Sequence, residues 1–362
     1  MNRHGHHVDG APVPLAARVR VIAHRGASAL LPEHTLAAYR RAIADGADFI
    51  EPDLVMTRDG AMVARHENEI SSTTDVADRP EFAARRTRKI VDGQAVSGWF
   101  SEDFTLAELK TLRARERLPQ LRGTRHDGQF EIPTLAEIIA LAAAGSAACG
   151  RAVGIIPEIK HGSYFAALGL AMEDRLLAEL AAHAYTRSAP VEIQSFEIGN
   201  LRHLRDRLGG LRSANRHPHV RLLQLLGDPA ERPWDVAAAG DDEPTYARMM
   251  TPAGLREIAR YADAIGPDIR AIVPLDAQER FGPPTALVRD AHAAGLEVHP
   301  YTFRPENHFL PKSLWQGGDP ATCNEAGAIA DIRAGLAAGI DAFFTDAPAI
   351  GRKAVDGLVA RD

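Results

Sequence analysis

Short apolar, β-rich runs alternate eight times with alanine- and leucine-rich stretches along this chain, and few folds tolerate that rhythm. The runs at residues 19–24, 49–55, 153–159, 191–196, 221–226, 271–273, 297–302 and 342–345 read as strands. Helical patterning occupies 35–44, 135–144, 165–184, 198–208, 253–264, 285–294 and 325–338, with a last helix near 349–360. Strands separated by helices of this length pair in parallel through crossover connections. Eight such units predict an α/β fold, a closed (β/α)8 or TIM barrel. An open doubly wound sheet gives the same alternation. The polar residues favour the barrel, because they gather at the carboxyl ends of several strands, where barrel enzymes hold their chemistry.

The rhythm breaks once. More than sixty residues separate the run MVARHE (62–67) from the helix expected at 135, which predicts an insertion at 67–133 after the second strand, folded over the barrel mouth. Within it, Thr105 is a cap ahead of Leu106, Leu109 and Leu112, so residues 103–114 are expected to contain a helix. Residues 1–18, polar and carrying His4, His6 and His7, read as a flexible tail, and 19–362 as a single barrel domain.

A chain of 362 residues has ample material for such a core. A net charge of −6 with scattered basic residues argues against nucleic acid, which usually needs a basic stripe. No run of about 18 apolar residues exists to insert stably in a membrane. Cys149 and Cys323 lack metal-ligand spacing and read as small residues or free thiols. The oligomeric state leaves no mark on the sequence.

The chemistry concentrates at strand ends. VIAHRGA (21–27) delivers His24 and Arg25 to a strand tip, and Gly26 permits the tight turn that follows. FIEPDLVMTRDG (49–60) carries Glu51 and Asp53, and VGIIPEIK (153–160) carries Glu158 and Lys160. Side chains two apart on a strand share a face, so each pair is expected side by side. Glu51, Asp53 and Glu158 are hard oxygen ligands suited to one divalent cation, Ca²⁺ or Mg²⁺. Solvated acids are the bland alternative, but burying three unpaired carboxylates costs several kcal/mol each by order of magnitude, and a cation offsets that cost.

His24 and His66 are candidates for acid and base, since imidazole titrates near neutrality. Arg25 and Lys160 are expected to neutralise phosphoryl oxygens, or simply to pair with Glu51 and Glu158. Glu33 is placed to hold Arg25. Phe196 and Tyr301 are weaker candidates for a small polyol pocket, which barrel packing explains almost as well. Gln194 and Phe303 also stand near strand ends, while His299 and Asp346 read as ties between strands.

HRGAS followed by LPEHTLAAY, then E-x-D with DGAMVARHE, then PEIK closely resembles the glycerophosphodiester phosphodiesterase family. The likeness continues through GWFSEDFTLAELKTL, QSFE, HPYTFR and GIDAFFTDAP. The resemblance implies a TIM barrel with an insertion, one divalent metal, and hydrolysis of glycerophosphodiesters, the deacylated phospholipids, to sn-glycerol 3-phosphate and an alcohol. It implies catalytic roles for His24 and His66, metal ligation by Glu51, Asp53 and Glu158, and phosphate contacts from Arg25 and Lys160. HPYTFRPENHFLP resembles a longer bacterial branch whose members are usually exported, whereas the amino terminus has no apolar segment of a signal peptide, so periplasmic, secreted and cytoplasmic locations all stay open. Two rival readings are a related barrel enzyme acting on lysophospholipids, which needs an apolar entrance, and a phosphate-binding protein without catalysis, which needs neither histidine.

Overall fold

The computed structural model describes residues 19–209, 219–241 and 244–357; the expected tail at 1–18 and the end of the last expected helix lie outside them. Among the described residues, eight parallel strands follow one another in chain order. They are Arg20–His24, Phe49–Glu51 continued by Asp53–Met56, Gly154–Ile155 continued by Glu158–Ile159, Val191–Ser195, Val220–Leu226, Ala264–Pro267, Glu297–Val298 and Ala342–Thr345. Each pairs with its neighbour, and the eighth pairs with the first. The seam between the seventh and eighth is closed by the Asp341 amide donating to the Val298 carbonyl at 3.0 Å and the Phe344 amide donating to the Pro300 carbonyl at 3.0 Å. This is a TIM barrel, as the alternation predicts.

Two strands are broken by proline, which brings no N–H to the ladder. Pro52 divides the second and Pro157 falls in the gap of the third. The first piece of the second strand pairs with the first strand, and its second piece with Glu158–Ile159 and with Met62–Ala64.

The sixth strand corrects the sequence reading. It is Ala264–Pro267, not 271–273, and the expected helix at 253–264 stops at Ile258. Residues Ile269–Ile272 form a short helix, because the Asp268 side chain accepts the Arg270 amide at 2.7 Å and caps it. A three-residue apolar run fits strand or helix equally, and the cap decides. The helix expected over 165–184 is two, Gly162–Ala167 and Glu173–Ala182, separated at Gly169, whose φ of +76° ends the first.

Alternation along the strands sorts residues into two cores. Val21, Ala23, Ile50, Leu54, Ile193 and Leu222 face the helices, in the large layer between sheet and helical ring. Ile22, Phe49, Ile156, Leu223, Ala264 and Phe344 fill the barrel interior as one apolar layer. Below it, at the amino ends of the strands, lies a charged plug. There His299 Nδ1 meets Glu192 Oε2 at 3.0 Å, His299 Nε2 meets Glu297 Oε2 at 3.1 Å, Arg221 reaches Glu297 at 2.9 Å, and Arg20 also pairs with Glu297. Above the apolar layer, at the carboxyl ends, lie the candidate site residues.

Between His66 and Thr134 the chain forms a hairpin, Thr87–Val91 against Gln94–Gly98, and short helices at Leu106–Leu109 and Pro119–Arg122. Thr105 caps the first of these in a reciprocal capping box with Glu108, so residues 103–114 contain the expected helix, four residues long. No helix among the described residues is long and apolar enough to cross a membrane.

Candidate functional site

Register builds the site. His24 lies opposite Glu51 on neighbouring strands, Asp53 opposite Glu158, and Glu158 opposite Gln194. Adjacent parallel strands stand about 4.8 Å apart, so residues at one level on successive strands present their side chains together. Glu51, Asp53 and Glu158 accordingly bring one carboxylate oxygen each within 4.8 Å of one another. All three are buried.

Such a cluster is electrostatically costly without a cation. Burial and the neighbouring Asp53 charge push the Glu51 carboxyl well above its ordinary range. Burial also lifts Glu158, to about 8, against the opposing pull of Lys160. Burial raises Asp53 too, but Arg25 and the hydrogen bond from His34 outweigh it and hold this carboxylate low. The donor set is three buried hard oxygens, which fits a divalent Ca²⁺- or Mg²⁺-type ion.

Two cations flank the acids. Arg25 places Nε 3.1 Å from Asp53 Oδ2 and Nη1 3.1 Å from Glu33 Oε2, while its backbone amide donates to Glu51 Oε2 at 2.8 Å. It sits in the left-handed region at φ +61°, and Gly26 follows at φ +92°. A methyl at Gly26 would lie 2.7 Å from the Ala38 backbone, so only glycine fits this turn. Lys160 Nζ lies 3.1 Å from Glu158 Oε1 and 3.5 Å from His66 Nε2.

Both histidines use Nδ1 for a carboxylate. His24 Nδ1 is 2.6 Å from Asp346 Oδ1, and His66 Nδ1 is 2.7 Å from Glu67 Oε1. Asp346 is pinned in turn by Arg122 Nη2 at 2.6 Å and Arg304 Nε at 3.1 Å. Burial and then Arg25 lower the His24 pKa to about 4, and burial, Arg25 and Lys160 lower that of His66 to about 3.

Gln194 donates to Glu51 Oε1 at 3.0 Å. Phe196 and Tyr301 pack edge to face, ring centres 6.1 Å apart, and Lys160 Nζ lies 5.9 Å from the Phe196 ring centre. The Tyr301 hydroxyl donates to the Leu226 carbonyl at 2.8 Å. A cavity of about 550 Å³ opens beside these residues, lined by Glu158, Lys160, Phe196, Asp92, Glu197 and Trp234 among others.

Sequence reasoning singled out the acids, cations and histidines described here but missed their partners, while Phe303 packs in the helix-side core and His299 in the plug. Glu67, His161, Asp92, Arg117 and Arg122 escaped it, and Asp346 was read only as a tie. Arg117 and Arg122 come from the long connection, the first reaching Glu33 at 2.8 Å and the second reaching Asp346. One signal was available: Asp92-Gly93 between TRKIV and QAVSG is a strong hairpin-turn sequence.

Residues 24–350 match the model of the glycerophosphoryl diester phosphodiesterase family, and the chain belongs to that family. It is 38% identical over 302 residues to a glycerophosphodiester phosphodiesterase of Arabidopsis thaliana, covering 80% of this chain and 75% of that protein. It is 29% identical to a glycerophosphodiester phosphodiesterase of Haemophilus influenzae, covering 79% of each. Among solved structures it shares its fold with a protein from Silicibacter pomeroyi described as a glycerophosphoryl diester phosphodiesterase. That likeness has a TM-score of 0.62 at 21% identity and covers 94% of this chain and 96% of the other. A phosphodiesterase of Oleispira antarctica, solved with the product sn-glycerol-3-phosphate, superimposes with a TM-score of 0.53 at 20% identity, covering 94% and 97%.

Proposed function

We propose that this protein is a metal-dependent glycerophosphodiester phosphodiesterase, releasing sn-glycerol 3-phosphate and an alcohol from deacylated phospholipids. The observation that carries the reading is the buried Glu51, Asp53 and Glu158 cluster flanked by Arg25 and Lys160. With all three carboxylates ionised, as a bound cation requires, two fixed cations leave one negative charge too many, and a divalent ion reverses that balance to suit a phosphodiester monoanion. Glu51, Asp53 and Glu158 would hold the ion, which supplies Lewis-acid stabilisation of phosphoryl oxygen charge when bound.

The chain's own groups do the rest. Arg25 and Lys160 face the phosphoryl oxygens and stabilise charge that grows in the transition state. His24 and His66, each with Nδ1 engaged by a carboxylate, keep Nε2 for proton transfer. One, neutral with its Nε2 lone pair free, accepts a proton from the attacking hydroxyl as the P–O bond forms, and the other, entering the step as an imidazolium, donates its Nε2 proton to the departing alcohol oxygen as its P–O bond breaks. Phe196 and Tyr301 offer an apolar edge to a small polyol. The insertion, with Ser, Thr, Arg and Asp prominent, supports a small polar substrate over one carrying an acyl chain.

The test is release of glycerol 3-phosphate from glycerophosphocholine. Chelator is expected to stop it and Ca²⁺ or Mg²⁺ to restore it, with lysophosphatidylcholine turned over far more slowly. Absence of release with any divalent ion would sink the reading, and preferential cleavage of the lysolipid would transfer it to the lipid-acting rival.

A further inference from the structure

We propose that His161 and Asp92 are positioning residues for His66, forming with Glu67 a hydrogen-bonded relay that runs from the insertion hairpin to the reactive imidazole. This rests on the reading of His66 as an acid/base group. The links are His66 Nδ1 to Glu67 Oε1 at 2.7 Å, Glu67 Oε2 to His161 Nε2 at 3.0 Å, and His161 Nδ1 to Asp92 Oδ2 at 2.6 Å. Three elements far apart in sequence meet here: the end of the second strand's return, the segment after the third strand, and the hairpin tip.

Donor and acceptor rules fix the protons. Lysine has only donors, so Lys160 Nζ at 3.5 Å assigns the lone pair to His66 Nε2 and the hydrogen to Nδ1, which donates to Glu67. His161 lies between two carboxylates and can satisfy both only by donating from both nitrogens, as an imidazolium. Burial opposes that charge, but the hydrogen bonds to Asp92 and Glu67 raise the His161 pKa to about 9. Lys160 also faces His161, while Arg25, Lys160, Glu67, Asp53 and Glu33 face His66.

The backbone is committed to this arrangement. His161 stands at φ +50° and Asp92 at φ +46°, conformations a non-glycine residue seldom adopts. Asp92 and Gly93, at φ +75°, form the two-residue turn of the hairpin, and a methyl at Gly93 would strike the Trp234 ring. The tip is thus seated against the short helix Trp234–Ala238 that follows the fifth strand, while its aspartate holds His161. Glu67 is exposed, so without His161 only His66 holds it, and the His66–Glu67 pair is free to swing together out of line with the site.

The test uses His161→Asn, because asparagine accepts the left-handed backbone but is too short to bridge both carboxylates. With glycerophosphocholine and added divalent ion, kcat is expected to fall about tenfold or more with KM little changed. Loss of the imidazolium leaves Glu67 unshared, so the acid limb of the rate profile should move to higher pH as His66 becomes easier to protonate. A defect in folding alone lowers amplitude and moves no limb. Imidazole ¹⁵N spectra at pH 7.5 should show the parent's His161 doubly protonated and His66 protonated at Nδ1. A His161→Asn enzyme with unchanged kcat and acid limb, or a neutral His161 in the parent, overturns the relay. Retained turnover in His66→Gln instead overturns the acid/base reading on which it rests.

Discussion

Each strand-end residue acts through the groups it touches. His24 and His66 are both held by burial and by Arg25 below the ordinary histidine pKa of about 6.5. The acid limb of kcat/KM, which reports the free enzyme, is therefore expected below pH 6.5. A limb at or above that value would contradict the burial argument. Replacing either histidine by alanine should lower kcat by about 10² to 10⁴-fold with folding intact, measured by steady-state assay alongside circular dichroism. The strand-end acids were legible because a period of two places neighbours on one face. Asp346 was not, since only contact with His24, Arg122 and Arg304 distinguishes a tie from a positioning carboxylate.

Elements form where local signals agree and shift where they compete. Thr134 caps the helix Leu135–Cys149 through a capping box with Glu137, and Gly150 at φ +69° ends it. Thr134→Ala should cost about 1 kcal/mol, read as a lower urea midpoint, with kcat unchanged. A change in kcat without loss of stability would mean that this helix does more than support Met62–Ala64 and the third strand. The sixth strand was misplaced because Ala271 to Val273 looked stronger than Ala264 to Pro267. Its place was decided by ladder bonds, Ile265 lying opposite Val298, not by its own apolarity. The hairpin at 87–98 carried its turn signal in Asp92-Gly93, but nothing local says that the tip reaches His161.

Across the whole molecule, the barrel stacks a charged plug, an apolar layer and the candidate site along one axis. In the plug, burial opposes charging of His299, but Glu192 and Glu297 prevail and raise its pKa. Burial likewise opposes ionisation of Glu192, but His299 prevails and lowers its pKa. A histidine with a raised folded pKa gives stability that is complete below its unfolded value, about 6.5, and lost as pH rises through the folded one. The lowered carboxylate adds stability present above about 4.5 and lost as pH falls further. The plug should therefore stabilise most between these values, and urea midpoints should be higher at pH 5.5 than at pH 9. His299→Gln leaves buried Glu192 with only the more distant Arg221, 3.5 Å away, to offset its charge, which should cost about 3 kcal/mol and flatten that difference. Equal midpoints for parent and variant at pH 5.5 would show the plug to be energetically idle.

By itself the sequence determined the number of strand and helix units, their parallel sense, and which residues stand at strand ends. Those features follow from periodicity and from turns a few residues long. Only the tertiary structure decided the partners: Glu67 with His161, His161 with Asp92, Asp346 with Arg122, and His299 with Glu192. Such contacts join segments tens to hundreds of residues apart. Their geometry depends on barrel register and on the insertion closing over the mouth, which no local pattern encodes.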